Sequence, residues 1–485
     1  MQSATNKVAM TANVEQSAAM LSGASCAGNL RASWEGVSTD SRNIEPGNLF
    51  IALRGERFDA HGFLDQVQLA GATVLVVDHL PEGVQLLPQV AAIIVQDTRR
   101  ALQELAQAWR KQFALPVIAV TGSNGKTTVK EMIAAILKQA YGEQQSLATR
   151  GNLNNEIGLP LSVLRLRPQH KAAVLELGMN HPGEIALLAS IAQANVALVN
   201  NAQREHQEFM ASVAAVAQEN GSVLQALPVF GTAVFPYGDE FTSLWQDYAG
   251  TRPSLHFGLS PEADVSCSYQ ALSFGSAMQV TLRDPVETQN FSLQLGAAGE
   301  HNVKNALAAI ACCHAAGIEL ADIIAGLQAF APVNGRLQNK VGKLGQAVID
   351  DTYNANPDSV RAAIKVLAGS KANSPTSILV LGDMGEVGDN GPAFHAEVGS
   401  YAAQQGVTHL YCLGEASSHS VAAFQNAGGE QAQHFRDLGH LLQHLDAIAP
   451  ETMRHATLLV KGSRFMQMER VVQHLLGITN ISGTH

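Results

Sequence analysis

A strand-like apolar run leads directly into a glycine turn, a lysine and a predicted helix, in the sequence Pro116-Val-Ile-Ala-Val-Thr-Gly-Ser-Asn-Gly-Lys-Thr-Thr128. Apolar residues then recur at helical spacing from Val129 to Ala140, and Gly142 ends the pattern. A strand, a glycine loop and a helix N-terminus together form a phosphate cradle, because the backbone N–H groups of the loop turn towards the anion. The chain is therefore predicted to be an α/β protein with a P-loop that binds a nucleoside triphosphate.

The loop reads T-G-x-N-G-K-T-T and is narrower than the general P-loop pattern, because Val120 stands where that pattern requires glycine. Glycines allow the tight turn, the lysine adds a positive charge, and the Thr127 hydroxyl is a candidate ligand of Mg²⁺. A G-K-T triplet also occurs by chance in long chains, but here it stands between a clear strand and a clear helix. The predicted nucleotide-binding residues of the loop are Gly122, Ser123, Asn124, Gly125, Lys126, Thr127 and Thr128.

Composition disfavours several classes of function. The 485-residue chain carries a net charge of −11, which argues against a broad surface for nucleic acid or anionic lipid. No apolar run approaches the ~20 residues that cross a bilayer, and residues 1–20 lack the apolar segment of a secretory signal. The five cysteines include no C-x-x-C pair, as is typical of a reducing compartment. We expect a cytoplasmic monomer with small-molecule partners, no nucleic acid and no integral membrane association.

The length and the alternation of strands and helices predict three domains. Residues 1–115 read as a small α/β N-terminal domain, of which the first 20 are expected to be flexible. Residues 116–332 read as a central P-loop domain with a mixed sheet, since 264–295 has an antiparallel pattern. Residues 333–485 read as a Rossmann-like βαβ domain. Ligands of open parallel sheets bind at the carboxyl ends of the strands, which predicts a cleft between the last two domains.

Polar residues follow two predicted buried strands of the central domain. Glu176 closes the strand 173–177, and a buried carboxylate is costly unless it meets a cation. We interpret it, with Thr127, as a Mg²⁺ ligand; the alternative is a structural pair with an arginine. His206 follows the strand 196–200 and could join the same metal site, although it could also be an ordinary surface or core histidine.

Three further polar segments are candidates for substrate contacts. A helix is predicted over 303–316 with Asn302 as its N-cap, and Asn302 and Asn305 lie one turn apart at its start. A carboxamide there could match the edge of adenine; for Asn302 the alternative is that it is only the helix cap. Arg336 lies between predicted domains, where a guanidinium could clamp a γ-phosphate. The polar loop 350–359 and the basic run 460–465 each follow a predicted buried strand. For each of these three segments a solvated turn is the alternative.

These motifs together resemble the Mur ligase family. The family patterns T-G-[ST]-N-G-K-T-T, E-L-G-x-x-x-x-G-E, G-x-H-N-x-x-N-A and G-R stand at Thr121–Thr128, Glu176–Glu184, Gly299–Ala306 and Gly335-Arg336. The resemblance covers nearly the whole chain except the first 20 or so residues and the tail. It implies a domain for a uridine-nucleotide substrate, a central ATPase domain and a Rossmann-like C-terminal domain.

Within the family, several runs are similar to the branch that joins D-alanyl-D-alanine to UDP-N-acetylmuramoyl-tripeptide. These runs are Gly151–Pro160, Asp351–Ser359, Leu381–Glu386 and Val460–Arg464. The resemblance implies a reaction that uses ATP and Mg²⁺, proceeds through an acyl phosphate and gives a UDP-muramoyl-pentapeptide for peptidoglycan synthesis. The alternatives are a family member that adds a single amino acid and a regulatory module that binds ATP without catalysis.

The resemblance also implies functions for individual residues. Asn305 would contact adenine, Asp351 the ribose, and Arg336 the γ-phosphate, while Asp351 and His206 are candidates for the base that receives the proton of the amine. The implied catalytic residues are Lys126, Glu176, His206, Arg336 and Asp351. The residues implied for the uridine-linked substrate are Ser41, Arg42, Asn152, Asn154 and Asn155. The residues implied for the dipeptide are Asn354, Asn356 and Arg464.

The sequence departs from the family at one position. Many members carry a carbamylated lysine that supplies an extra carboxylate near a second Mg²⁺. The corresponding segment here is 213–221, the lysine position holds Asn220, and no lysine lies between Lys171 and Lys304. We hypothesise that the second metal site uses Asn220, a neighbouring carboxylate such as Glu219, or water.

Overall fold

The structure is a computed structural model that describes residues 11–55, 58–205, 208–370 and 375–478. Three sheets of five, nine and six strands follow one another along the chain, and a separate two-stranded ribbon lies at the N-terminal end. Each large sheet is covered by helices and forms one α/β domain. The predicted three-domain α/β architecture is confirmed.

The N-terminal domain is built on the five-stranded sheet. Its elements are β1 (Thr11–Asn13), α1 (Val14–Ala19), β2 (Ser25–Gly28), β3 (Ser33–Glu35), β4 (Val37–Ser38), β5 (Leu49–Ile51), α2 (Leu64–Leu69), β6 (Val74–Val77), β7 (Ala91–Ile94) and α3 (Thr98–Arg110). The strand order is β2-β7-β6-β5-β4, in which only β2 is antiparallel to its neighbour, and β1 pairs with β3 in the ribbon. Helix α3 begins where the side chain of Asp97 accepts hydrogen bonds from the backbone N–H groups of Arg99 and Arg100.

The central domain is built on the nine-stranded sheet. Its elements are β8 (Val117–Thr121), α4 (Lys126–Tyr141), β9 (Ser146–Ala148), α5 (Gly158–Val163), β10 (Ala172–Glu176), α6 (Glu184–Ala192), β11 (Val196–Val199), α7 (Val213–Gln225), β12 (Thr232–Pro236), α8 (Thr242–Ala249), β13 (Ser254–Gly258), β14 (Val265–Leu272), β15 (Gly275–Arg283), β16 (Thr288–Leu295), α9 (Glu300–Ala315) and α10 (Leu320–Ala329). The order is β16-β15-β14-β13-β12-β11-β8-β10-β9, parallel from β9 to β14 and antiparallel across β14, β15 and β16. The mixed sheet that the sequence predicts is therefore present.

The C-terminal domain is built on the six-stranded sheet. Its elements are β17 (Gln338–Val341), β18 (Ala347–Asp351), α11 (Pro357–Gly369), β19 (Thr376–Gly382), α12 (Gly391–Gln404), β20 (His409–Leu413), α13 (Ser418–Asn426), β21 (Gln431–Phe435), α14 (Leu438–Ala447), α15 (Pro450–Arg454), β22 (Ala456–Lys461) and α16 (Glu469–Leu476). The order is β17-β18-β22-β19-β20-β21, and all strands except the edge strand β17 are parallel. Separate apolar cores fill the two faces, as in a doubly wound Rossmann-like fold.

The prediction that Asn302 caps helix α9 is wrong. The N-cap is Gly299 (φ +95°), and the helix begins at Glu300, three residues before its predicted start. Asn302 lies inside the first turn and donates a hydrogen bond to the carbonyl oxygen of Ala298 at 2.8 Å. The first turn carries polar residues, so the apolar periodicity begins after the true start of the helix.

Helix α10 crosses α4 so closely that Gly326 has no room for a side chain. A Cβ built at Gly326 would lie 2.4 Å from Cα of Ile136, which is backbone and cannot rotate away. We expect Gly326→Ala to destabilise the protein by about 1–3 kcal/mol, because the two helices must separate. Thermal unfolding followed by circular dichroism would measure the change.

The matched control for this prediction is Gly369→Ala, also in a helix. A Cβ at Gly369 would meet none of the described residues within 4 Å. This variant should unfold at or slightly above the wild-type temperature, because alanine favours the helix. Equal melting temperatures for the two variants would contradict close packing between α4 and α10.

The helices of the described ranges include none that combines the length and the apolar character needed to cross a membrane.

Candidate active site

A cavity of about 1380 Å³ lies between the central and C-terminal domains. Its walls come from the P-loop, the loop after β10, the start of α9, the linker that precedes β17, and the loops that follow β18 and β22. The last two loops leave the carboxyl ends of parallel strands, so the cleft has the predicted position.

The register of the central sheet explains why the polar residues meet here. Strand β8 lies between β10 and β11, with Val120 opposite Glu176 and Thr121 opposite Val199. Three parallel strands therefore end at the same level. The P-loop, Glu176 and the segment after β11 start from one edge of the sheet.

Glu176 is a buried carboxylate with one oxygen that has no partner in the described part of the chain. The residue is only 2% exposed. Its Oε1 accepts hydrogen bonds from Thr127 Oγ1 at 3.1 Å and Asn154 Nδ2 at 2.9 Å. Oε2 is buried and has no hydrogen-bond partner among the residues that the structure describes. A buried anion with a free oxygen beside a hydroxyl is a donor set that suits a hard cation such as Mg²⁺.

The alternative for Glu176 was a structural pair with an arginine. Within the described ranges, no arginine forms an ion pair with this carboxylate. Arg336 does approach, but its Nη2 donates to Thr127 Oγ1 at 2.8 Å. The hydroxyl thus lies between the arginine and the carboxylate, and the linker between domains reaches the P-loop. A contact between Arg336 and a γ-phosphate stays a prediction.

The guanidinium of Arg336 is positioned by an aromatic ring. It stacks on the ring of Tyr353, with 4.0 Å between Cζ and the ring centroid. The preceding Gly335 has φ +72°, and a Cβ there would lie 3.2 Å from the backbone nitrogen of Tyr353. Glycine at this position therefore permits the turn that directs Arg336 towards Thr127.

The P-loop is fixed by residues that sequence reasoning did not single out. Asn200 and Asn201 follow β11, and both side chains donate to the carbonyl oxygen of Asn124, at 2.8 and 2.9 Å. Asn201 Oδ1 also accepts from the backbone N–H of Asn124 at 2.8 Å. Their signal was their position directly after a buried strand.

Lys126 has polar partners within the protein. Its Nζ donates to the carbonyl oxygens of Gly122 at 2.5 Å and Ser123 at 3.0 Å, and lies 3.2 Å from Glu205 Oε2. A phosphate bound in the loop would compete with these oxygens for the ammonium group. The lysine is therefore at the phosphate cradle, with its charge already partly neutralised.

Gly125 is required by both backbone conformation and space. Its φ is +82°, and a Cβ would lie 2.6 Å from Asn305 Oδ1 and 2.7 Å from Asn200 Nδ2. We expect Gly125→Ala to weaken ATP binding by at least about tenfold, because the loop must shift from the conformation that presents its N–H groups. Isothermal titration calorimetry with ATP would measure this.

The control for Gly125→Ala lies at the other end of the same helix. Gly142 has φ +84°, but a Cβ there would have no atom of the described ranges within 4 Å. Gly142→Ala shares the backbone strain without the crowding, so it should lower stability and leave ATP affinity near the wild-type value. Equal losses of ATP affinity in both variants would show that strain alone, and not the shape of the cradle, is responsible.

Asn305 supports the P-loop. Its Oδ1 accepts from Asn200 Nδ2 at 2.9 Å, and its Nδ2 donates to Asn302 Oδ1 at 3.2 Å. It lines the cleft beside Gly125. A contact between Asn305 and adenine stays a prediction. The neighbouring His301 also lines the cleft, and burial lowers its pKa to about 4, so its imidazole is neutral at pH 7.

Asp351 is paired with a buried lysine that was not among the predicted site residues. Strands β18 and β22 place Asp351 opposite Lys461, and Asp351 Oδ2 accepts from Lys461 Nζ at 2.7 Å. The same ammonium donates to the carbonyl oxygen of Asn354 at 2.8 Å, and Asp351 Oδ1 accepts from the backbone N–H of Leu337 at 3.2 Å. Lys461 therefore fixes both the carboxylate and the loop after β18.

The predicted dipeptide residues all line the cleft. Asn356 caps helix α11, and its Nδ2 donates to Asn124 Oδ1 at 2.9 Å, which joins the two domains. Asn354 Oδ1 accepts from the backbone N–H of Ala355 at 2.9 Å. Arg464 is largely exposed.

The predicted residues for the uridine-linked substrate divide into two groups. Asn152, Asn154 and Asn155 line the cleft. Ser41 and Arg42 belong to the N-terminal domain and do not line it. Arg42 pairs with the neighbouring Asp40, and its hydrogen bonds lower the pKa of that carboxyl to about 2.

His206 lies outside the described residues, so its predicted part in catalysis and metal binding stays a prediction. Asn220 does not line the cleft; its Oδ1 accepts from Thr121 Oγ1 at 2.7 Å. Glu219 accepts from the backbone N–H groups of Gly183 at 2.9 Å and Ile185 at 2.8 Å. Both Glu219 oxygens therefore bind the start of α6, which disfavours the hypothesis that Glu219 supplies a second metal site.

A histidine–aspartate cluster lies in the N-terminal domain. Ligand atoms of His61, Asp78 and His79 lie within 4.8 Å of one another. The guanidinium of Arg54 is 3.2 Å from both Asp78 and His79, and Asp59 lies 2.6 Å from Nδ1 of His61. Because Arg54 already supplies the positive charge, we interpret the cluster as a structural hydrogen-bond network.

Comparisons with known proteins agree with this geometry. Family descriptions match as "Mur ligase family, catalytic domain" at residues 33–110, "Mur ligase middle domain" at 120–313 and "Mur ligase, glutamate ligase domain" at 335–464. The Escherichia coli K12 protein named UDP-N-acetylmuramoyl-tripeptide--D-alanyl-D-alanine ligase is 41% identical over 91% of this chain and 93% of its own length.

Two solved structures are also similar. MurF from Acinetobacter baumannii superposes with a TM-score of 0.83 at 35% identity, over 92% of this chain and 94% of that chain. MurF from Thermotoga maritima, solved in complex with ADP, shows the same fold with a TM-score of 0.78 at 24% identity, over 91% and 97% of the two chains. The chain belongs to the Mur ligase family.

Proposed function

We propose that this chain joins D-alanyl-D-alanine to UDP-N-acetylmuramoyl-tripeptide and converts ATP to ADP and phosphate. The product is the UDP-N-acetylmuramoyl-pentapeptide of peptidoglycan synthesis. Relatives from Escherichia coli and Bacillus subtilis that carry this activity in their names match 91% of the chain at 41% and 33% identity. The observation that carries the reaction class is the group of Thr127, Glu176 and Arg336, which joins the P-loop to the linker between domains.

We assign the candidate residues to three ligands. The P-loop, Asn305 and Asp351 would bind ATP, and Asn152, Asn154 and Asn155, with Ser41 and Arg42 of the N-terminal domain, would bind the uridine-linked substrate. Asn354, Asn356 and Arg464 would bind the dipeptide. In support, all of these except Ser41 and Arg42 line one cavity or belong to the P-loop beside it. The domain boundaries at 115/116 and 332/333 are part of the same proposal.

We infer that Mg²⁺ is held by Glu176 and Thr127, with His206 as a further candidate ligand. Oε2 of Glu176 supports this, since it has no partner within the described ranges and a buried anionic oxygen is stabilised by a cation. When bound, the ion would neutralise charge on the phosphate oxygens of ATP.

The first chemical step is transfer of the γ-phosphoryl group to the carboxylate of the tripeptide. A carboxylate is a poor electrophile, so its oxygen attacks the γ-phosphorus, the bond to ADP breaks, and an acyl phosphate forms. Such a transfer depends mainly on positioning and charge stabilisation. Lys126, at the P-loop, and Arg336, 2.8 Å from the hydroxyl of Thr127, supply positive charge from opposite domains of the cleft.

The second step is attack of the dipeptide amine on the acyl carbon, after which phosphate leaves with the former carboxylate oxygen. An α-amine has a reference pKa of about 7.7–8.0, so it must lose a proton before or during attack. Asp351 and His206 are the candidate bases. Asp351 is oriented by Lys461 and by the backbone of Leu337, at the wall of the cleft that the C-terminal domain supplies.

The proposal is tested by phosphate release from ATP with UDP-N-acetylmuramoyl-tripeptide, Mg²⁺ and a panel of amines. Release should depend on D-alanyl-D-alanine and should be weak with D-alanine or L-amino acids. Equal or faster release with a single amino acid would identify another ligase of the family. ATP binding without release for any amine would instead support a regulatory module.

The absence of a lysine at the position of Asn220 leads to a separate prediction. No side chain between Lys171 and Lys304 can form a lysine carbamate, since no lysine lies there. We expect the rate to be unchanged when CO₂ and bicarbonate are removed from buffers by degassing under argon. Loss of rate that bicarbonate restores would contradict this expectation.

We also propose that the protein acts in the cytoplasm as a monomer with small-molecule substrates. Its substrates are soluble nucleotides and dipeptides, and its net charge of −11 disfavours a nucleic-acid partner. Size-exclusion chromatography with light scattering would measure the oligomeric state.

A further inference from the structure

Arg204 connects the central and C-terminal domains. It follows β11 in the central domain, and its guanidinium reaches helices α11 and α12. Nη2 lies 2.6 Å from Asp358 Oδ1 and Nε lies 3.1 Å from Asp358 Oδ2. Nη1 lies 2.7 Å from Glu397 Oε2, and Nη2 lies 3.0 Å from Glu397 Oε1. One guanidinium thus binds two carboxylates of the other domain with bidentate geometry.

The backbone and the surroundings add to this contact. The backbone N–H of Arg204 donates to Asp358 Oδ2 at 3.0 Å, and the guanidinium packs over the ring of Phe394 at 5.4 Å. The Arg204, Asp358 and Glu397 side chains are only 24%, 23% and 30% exposed. Bidentate arginine–carboxylate pairs that are partly shielded from water are stronger than ordinary surface ion pairs.

The connection lies next to the P-loop. Glu205, the adjacent residue, lies 3.2 Å from Nζ of Lys126. On the facing side, α11 begins at Pro357, directly after Asn356, whose side chain bonds Asn124 of the P-loop. Closure of the two domains through Arg204 therefore brings the start of α11 against the phosphate cradle.

We propose that Arg204 is a positioning residue that latches the C-terminal domain closed over the P-loop. The latch consists of Arg204, Asp358 and Glu397. It sets the fraction of molecules in which the C-terminal wall of the cleft faces the nucleotide site. Its kinetic consequence rests on the proposed function, whereas its effect on domain closure does not.

Loss of the latch should lower the apparent affinity most for ligands that bind only the closed form. The apparent affinity of a ligand that binds only the closed form falls with the closed fraction. We expect Arg204→Ala to raise KM for D-alanyl-D-alanine about tenfold. ATP affinity should fall much less, because most of the proposed ATP contacts, the P-loop and Asn305, belong to the central domain and only Asp351 belongs to the C-terminal domain. The unfolding temperature should change little. Arg204→Lys keeps the positive charge but lacks the planar guanidinium that binds two carboxylates, so its KM should lie between those of the wild type and Arg204→Ala.

Arg361→Ala is the matched control. Arg361 Nη1 lies 2.8 Å from Glu397 Oε1, but Arg361 and Glu397 both belong to the C-terminal domain. This variant removes an arginine from the same carboxylate without breaking a contact between domains. It should keep the closed form, so its radius of gyration should equal that of the wild type.

The experiment combines small-angle X-ray scattering of the full chain without ligands and steady-state kinetics. Arg204→Ala should have a larger radius of gyration than the wild type, Arg204→Lys an intermediate one, and Arg361→Ala the wild-type value. The proposal is wrong if Arg204→Ala has the radius of gyration of the wild type, or if Arg361→Ala increases the radius of gyration as much as Arg204→Ala does. If neither the wild type nor any variant uses the dipeptide, the proposed function is wrong, but the scattering still shows whether Arg204 holds the domains closed.

Discussion

Arg336→Ala is expected to reduce kcat at least about 10³-fold and to leave ATP binding nearly unchanged. Arginines that stabilise the charge of a transferring phosphoryl group contribute effects of this size. Arg336 stacks on Tyr353 and contacts the hydroxyl of Thr127, so it lies at the phosphate end of the site. Single-turnover phosphate release would measure the chemical step, and calorimetry would measure the affinity for ATP.

Two further variants sharpen this prediction. Arg336→Lys keeps one positive charge but loses the planar fork that contacts Thr127 and stacks on Tyr353, so it should recover only a small part of the rate. Arg100→Ala removes an exposed arginine that pairs with Glu104 on the surface of α3 and should behave like the wild type. If Arg336→Ala lowered ATP affinity as strongly as kcat, Arg336 would be a binding residue and not a residue of the transfer step.

Glu176→Gln is expected to change activity and stability in different directions. The rate should fall by about 10²–10³-fold, because an oxygen that we assign to Mg²⁺ loses its charge. Without ligands, the variant should unfold at or above the wild-type temperature. Glu176 is buried, its Oε2 has no partner in the part of the chain that the structure describes, and a neutral amide is less costly to bury than a carboxylate.

A titration of Mg²⁺ would separate metal binding from a structural effect. In the presence of ATP, Mg²⁺ should raise the unfolding temperature of the wild type, and this rise should be smaller in Glu176→Gln. Glu143→Gln is the control, since Glu143 is an exposed residue that pairs with Lys138 after the same P-loop helix. A full loss of activity with an unchanged response to Mg²⁺ would contradict the assignment of Glu176 as a metal ligand.

The sequence predicted the parts of the site that depend on local order. A strand, a glycine turn and a helix follow one another in the P-loop, so its position could be read without knowledge of distant contacts. The position of Glu176 near the P-loop could be predicted from its place at the end of a buried strand, because residues at the carboxyl ends of neighbouring parallel strands share one edge of the sheet. Its part in catalysis and metal binding stays a prediction. The membership of the Mur ligase family, which these motifs indicated, is confirmed by the comparisons.

The remaining features depend on pairings between distant segments. Lys461 meets Asp351 only because β18 and β22 are neighbours in register, although 110 positions separate the two residues. Arg204 meets Asp358 across 154 positions and between two domains. No periodicity or short motif reports such a pairing.

The prediction that Asn302 caps α9 is wrong for a local reason. A helix that starts beneath a ligand cleft carries polar residues in its first turn, so its apolar pattern begins late. Gly299 starts the helix without any side-chain cap, and no motif for capping is visible in the sequence.

The most direct test of the central claim follows the carboxylate oxygen through the reaction. UDP-N-acetylmuramoyl-tripeptide labelled with ¹⁸O in its terminal carboxylate is incubated with ATP, Mg²⁺ and D-alanyl-D-alanine, and both products are analysed by mass spectrometry. Ligation through an acyl phosphate predicts a pentapeptide nucleotide that has lost one labelled oxygen and a phosphate that has gained it. Unlabelled phosphate, or phosphate formed without any pentapeptide, would contradict the account.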